Sequence, residues 1–115
     1  MSKTIRLREI AHGRSGDKGN HANVAIIAYT AEGYAWIKDH VTKELVADFF
    51  QQFQPTLVER FEADNLLALN FLLHNVLGGG ASGSLRIDTQ GKTFALAVLE
   101  IRIPKPERMI SMVRQ

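Results

Sequence analysis

The chain has 115 residues and no cysteine, and 14 basic against 12 acidic side chains give a net charge of +2. That length suits one domain, residues 1–115, able to bury a core without staples, and the lack of cysteine excludes disulfides, thiolate metal sites and a cysteine nucleophile. A charged fraction of 23% excludes a disordered tail-like chain, and so small a net charge excludes a general polyanion binder.

Ile5, Leu7, Glu9 and Ala11 alternate with Arg6, Arg8 and Ile10, which predicts a first strand. A polar, glycine-studded loop is expected next, Gly13-Arg14-Ser15-Gly16-Asp17-Lys18-Gly19-Asn20. Asn23 to Thr30 is a nearly continuous apolar run with β-branched members, the pattern of a central strand covered on both faces. Glu32-Gly33 reads as a turn, and Tyr34 to Phe53 as helix, in one or two pieces, with Asp39 or Thr42 as N-cap. Leu45, Val46, Phe49, Phe50 and Phe53 share one apolar face, so these aromatics, with Tyr34 and Trp36, are read as core.

Leu57 to Glu62 predicts a strand, Asp64-Asn65 a turn, and Leu67 to Leu73 a hairpin partner, although leucine spacing there also fits a helix. That stretch holds the longest apolar run, Leu66 to Leu73, interrupted by Asn70 and too short to span a bilayer. A second polar loop runs from Gly78-Gly79-Gly80 through Ser82, Ser84 and Arg86 to Asp88. Thr93 to Val98 reads as a short helix and Leu99 to Ile103 as a closing strand stopped by Pro104 and Pro106. Residues 103–115 form a basic tail, expected to be solvated or to pack on a neighbouring subunit.

Without its first strand this order is β-α-β-β-α-β, an α+β ferredoxin-like sandwich with an additional N-terminal strand. Its helices cover one face of an antiparallel sheet and leave the other open, with Ala28 and Phe61 as candidate outward positions.

Both loops have the composition of an anion site. Arg14 and Lys18 stand beside flexible N–H groups in the first, and Gly78 to Gly80 offer a row of backbone donors beside Ser82, Ser84 and Arg86 in the second. Neither matches Gly-x-x-x-x-Gly-Lys-Ser/Thr, nor is there a Gly-x-Ser-x-Gly elbow. Asp17 and Asn20 also suit an ordinary turn, and Arg86 with Asp88 an ordinary ion pair. His12 and His21 flank the first loop as candidate acid–base groups, or as plain polar surface. No metal-ligand spacing is present. The strand around Val24 to Tyr29 has one tyrosine only, whereas RNA-binding sheets carry several aromatics on their central strands. The start, Met1-Ser2-Lys3-Thr4, has no signal-peptide core, so a cytoplasmic protein with no membrane or nucleic-acid partner is expected.

Arg14-Ser15-Gly16-Asp17-Lys18-Gly19-Asn20 followed by Ala22-Asn23 resembles the small domain of the AtuA-type (acyclic terpene utilisation) family. So does Leu69-Asn70-Phe71 leading into Leu77-Gly78-Gly79-Gly80, then Ser84-Leu85-Arg86 and Asp88-x-x-Gly91-Lys92, and the similarity runs over nearly all of residues 4 to 103. The resemblance implies a ferredoxin-like fold that stands either at the C-terminal end of a larger protein or as a short separate chain. It further implies a setting in the breakdown of acyclic terpenes and branched acyl compounds carried as coenzyme A thioesters.

The expected role is an accessory domain or small subunit that assembles with itself and with a large AtuA-like partner. The two loops would bind an acyl-CoA or carboxylate. Arg14, Lys18 and Arg86 would counter its charge; Ser15, Asn20, Asn23, Ser82 and Ser84 would orient it; Gly78, Gly79 and Gly80 would supply backbone donors. Asp17 is the catalytic candidate, and no cofactor or metal is called for. The alternatives are a free-standing acyl-CoA lyase or hydratase and a purely structural oligomerisation module.

Overall fold

A computed structural model describes residues 3–18, 21–76 and 94–114. The second glycine-rich segment, with Gly78 to Gly80, Ser82, Ser84 and Arg86, lies outside the described residues, as does Asn20.

The elements are β1 (Thr4–Arg6), β2 (Ala11–Lys18), β3 (His21–Ala28), α1 (Ala31–His40), α2 (Lys43–Phe49), β4 (Val58–Ala63), β5 (Ala68–Leu73), α3 (residues 94–98) and β6 (Arg102–Pro104). Four strands form an antiparallel sheet in the order β2-β3-β5-β4, and β1 pairs with β6 in a separate two-stranded ribbon. The fold is ferredoxin-like, with mixed helix and strand and a four-stranded antiparallel sheet.

Several predicted elements shift. Gly13 to Lys18 is not loop but strand, paired along its whole length with β3 from Ala11↔Ala28 to Lys18↔His21. This hairpin strand fills the sheet position beside β3, so the closing strand cannot enter there. Strand structure at that end is confined to Arg102–Pro104, which pairs with Thr4–Arg6 instead. The predicted first strand breaks after Arg6 into a 3-10 turn at Leu7–Glu9, whose N–H groups at Leu7 and Arg8 donate to Ile101 and Leu99 carbonyls at 3.0 Å.

Glu32-Gly33 is not a turn but the first turn of α1, because the Thr30 hydroxyl accepts from Gly33 N–H at 3.0 Å and starts the helix. Thr42, not Asp39, caps α2 by accepting from Leu45 N–H at 3.1 Å. The basic tail docks rather than floating: the Thr30 hydroxyl donates to Ser111 O at 2.8 Å, the Ser111 hydroxyl donates to Glu32, and Met112 is buried.

The core lies between one sheet face and the helices. Val24, Ile26, Leu69, Phe71 and Leu73 meet Ile37, Val46, Phe50, Phe94 and Val98. Phe94 packs edge-on against Phe50 and Phe53, with centroids 5.2 and 4.8 Å away. Tyr34 and Phe50 are core as expected, whereas Phe49 is exposed. Ala28 is buried in the core rather than facing outward, and Phe61 is the outward residue, 48% exposed.

Candidate functional site

Strand alternation builds the site. Along β3, Ala22, Val24, Ile26 and Ala28 are buried, which sends His21, Asn23, Ala25 and Ile27 to the opposite face. Register extends that face across the sheet: Arg14 stands opposite Ala25, and Ala25 opposite Asn70. Asn70 in turn faces Phe61.

A groove of about 650 Å³ runs over this open face. Its floor is apolar, made by Ala25, Ile27, Ala63, Leu66 and Ala68, and its polar groups are His12, Arg14, Ser15, Asn23 and Asn70. Among the described residues no carboxylate lines it and no ion pair engages Arg14. Asn70 Oδ1 is buried with no hydrogen-bond partner among the described residues. A buried acceptor without a donor costs about 1–3 kcal/mol, a cost that a ligand N–H entering the groove removes. An apolar trough with a cation and amides at one side can hold a molecule with an anionic or amide-bearing head and an apolar tail.

Of the residues predicted for binding, Arg14, Ser15 and Asn23 are brought together here. Asp17 and Lys18 lie in β2, in register with Ala22 and His21. His12 and His21 do not share a site. His12 pairs with Ile27, six residues along β3 from His21, a separation of about 20 Å at strand rise. His12 instead stacks on Tyr29, with centroids 5.6 Å apart.

His21 belongs to a second cluster that sequence reasoning missed. Its ring packs 4.7 Å from that of His74, and His74 Nε2 lies 2.7 Å from Glu59 Oε1. Asn75 N–H donates to His21 Nδ1 at 3.0 Å. His21, at the start of β3, therefore sits beside Asn75, just past the end of β5.

The groove's rim is stiffened where α1 meets the β4–β5 turn. The Tyr34 hydroxyl donates to Asp64 at 2.6 Å and Lys38 Nζ lies 3.3 Å from the same carboxylate. The Tyr34 hydrogen bond, then Lys38, holds the Asp64 carboxyl below its ordinary range, while burial and the Asp64 contact push the Tyr34 hydroxyl up. Arg60 caps the end of α1, donating from Nε to Val41 O at 3.1 Å and from Nη2 to Lys38 O at 2.9 Å.

Comparison with known proteins decides the family. The model of the AtuA ferredoxin-like domain matches residues 5–104. The chain belongs to that family. No curated protein and no solved structure matches it. In this AtuA-type domain the match takes in both strands of the glycine-bearing hairpin and all four strands of the sheet. No helix among the described residues is long and apolar enough to cross a membrane.

Proposed function

We propose that this chain is an accessory domain or small subunit of an AtuA-like system, and that its open sheet face binds an acyl-CoA thioester or a branched carboxylate in a cytoplasmic pathway of terpene or branched-acyl breakdown. The observation that carries the reading is the groove: Arg14 and the amides of Asn23 and Asn70 beside a floor of alanine, isoleucine and leucine. The guanidinium suits the anionic end, the floor suits an alkyl chain, and the orphan Asn70 acceptor favours a thioester whose carrier arm has amide N–H groups. Lys18 and Arg86 would counter the charge of the head group, Ser82 and Ser84 would add polar contacts, Gly78 to Gly80 would supply backbone donors, and Asp17 would hold Lys18 or move a proton. A separate large AtuA-like chain would supply the rest of the machinery.

Thermal stabilisation by a branched acyl-CoA tests the reading. The melting temperature rises with ligand concentration, and Arg14→Ala weakens binding roughly tenfold, the worth of one charge-assisted contact. No shift with any acyl-CoA or branched carboxylate removes the ligand-binding role.

Self-association has its own support. β4 is an edge strand that presents Phe61, 48% exposed, and Leu57 just before it is 52% exposed. Antiparallel pairing of two β4 strands about Phe61 sets Arg60 opposite Glu62 of the second copy, a self-complementary register. Light scattering that finds Phe61→Lys and wild type at the same monomeric mass rejects this pairing.

A further inference from the structure

The cluster of Glu59, His74 and His21 lies on the same open face as the groove but beyond its end. His74 is one residue past β5 and four from Asn70, about 13 Å along the strand. Its hydrogen bonds fix what each imidazole can do. A backbone N–H can only donate, so the Asn75 contact at 3.0 Å makes His21 Nδ1 an acceptor and leaves the proton of neutral His21 on Nε2. A carboxylate can only accept, so the 2.7 Å contact to Glu59 places a proton on His74 Nε2 and leaves Nδ1 with a lone pair. Asn75 is held for this task in the left-handed region at φ 61°, with its amide donating to Thr56 Oγ1 at 2.8 Å.

One ring thus offers a fixed donor and the other a fixed acceptor, with centroids 4.7 Å apart and partly exposed to solvent. The remaining nitrogen of each ring has no partner among the described residues. Neither tautomer can be reversed without breaking a hydrogen bond. Glu59 further supports the positive charge that His74 gains on taking a proton, the arrangement that makes a histidine an effective general base.

We propose that His74 and His21 form a proton-transfer site for a carbon acid, a carbonyl compound such as a thioester with a hydrogen on its α carbon. His74 Nδ1 takes the α proton. The C–H bonding pair becomes the carbon–carbon double bond of an enolate, and the carbonyl π pair moves to oxygen. His21 Nε2–H donates to that oxygen, and Glu59 faces the resulting His74 imidazolium. Return of the proton from His74 restores the substrate, and no other reactant is consumed. His74 and His21 are catalytic residues in this scheme, and Glu59 is a positioning residue. The proposal stands apart from the groove, since it needs neither Arg14 nor Asn70.

The test follows deuterium entering the α position of the butyryl thioester of N-acetylcysteamine in heavy water with the whole chain. Wild type is expected to exchange about a hundredfold faster than buffer, the usual worth of a positioned general base. His74→Gln returns the rate to that of buffer. Glu59→Gln lowers kcat about tenfold with KM unchanged, and Glu59→Asp recovers part of it, which loss of fold would not produce. Nitrogen-edited imidazole spectra of the unmutated protein add a second arm, with the neutral-form proton expected on Nε2 of both rings. Exchange at the buffer rate in wild type, exchange unchanged in His74→Gln, or a His21 proton found on Nδ1 would each overturn the proposal.

Discussion

The two faces of the four-stranded sheet come from the same strands, yet they obey different rules. The helix-covered face has an apolar centre, where Val24, Ile26, Leu69, Phe71 and Leu73 are fully buried, and its Arg60 is satisfied by the Val41 and Lys38 carbonyls. The open face carries a guanidinium outside every ion pair among the described residues, an amide oxygen without a donor, three histidines and an exposed phenylalanine. Strand period alone separates them, since neighbouring residues point to opposite sides. One face holds the fold and the other tolerates cost, the pattern expected where binding competes with stability.

The sharpest way to break this contrast is a matched pair of truncations on adjacent strands. Phe71→Ala should cost about 3–5 kcal/mol in urea unfolding, whereas Phe61→Ala should stay within about 0.5 kcal/mol. Those values hold for the monomer, and similar losses at concentrations where the chain self-associates would show Phe61 covered, as pairing of two β4 strands would cover it. Two glycines of β2 repeat the comparison on one strand. A Cβ at Gly13 would meet Ala95 O at 3.0 Å and Leu99 Cγ at 3.4 Å, so Gly13→Ala should cost about 1–3 kcal/mol by pushing α3 outward. A Cβ at Gly16 meets nothing within 4 Å, and Gly16→Ala should stay within about 0.5 kcal/mol.

Asn70→Leu sharpens the contrast from the other side. It removes an unsatisfied buried acceptor and should raise stability by about 1 kcal/mol while weakening acyl-CoA binding. The smallest effect is at the seam between α1 and the β4–β5 turn. The Asp64 carboxyl is depressed by Tyr34 and then Lys38, so its ionised form is favoured more in the folded than in the unfolded chain. The stability it lends is present above the unfolded pKa of about 4 and is lost as pH falls through the lower folded value. Asp64→Asn should therefore flatten the acid limb of melting temperature against pH and leave neutral-pH chemistry on the open face unchanged.

Local patterns in the sequence carried the helices and the β4–β5 hairpin. Thr42 announced its helix through capping chemistry, and Leu57 to Glu62 read as a strand before the Asp64-Asn65 turn, while Leu67 to Leu73 fitted strand or helix and its pairing with β4 makes it strand. Asn70 was visible as the polar break in an apolar run, which is the mark of an outward-facing strand position. By contrast, Gly13 to Lys18 shows no apolar alternation: β2 is an edge strand, and its Gly13 makes room for α3. Its pairing with β3, and that of β1 with β6, joins separate segments, which no local window records. The Glu59–His74–His21 cluster was hidden for the same reason. Its members are 15 and 53 residues apart and meet only through register.

The ribbon of β1 and β6 has a consequence for how the chain is made. All four strands of the main sheet lie within residues 11–73, so that sheet can assemble while later residues are still inside the ribosome. Thr4 waits for Pro104, a closure across most of the polypeptide, and Ile5 and Ile103 reach the interior only then. Synthesis that stalls before residue 102 would leave a nascent chain with a formed sheet and an unsealed base.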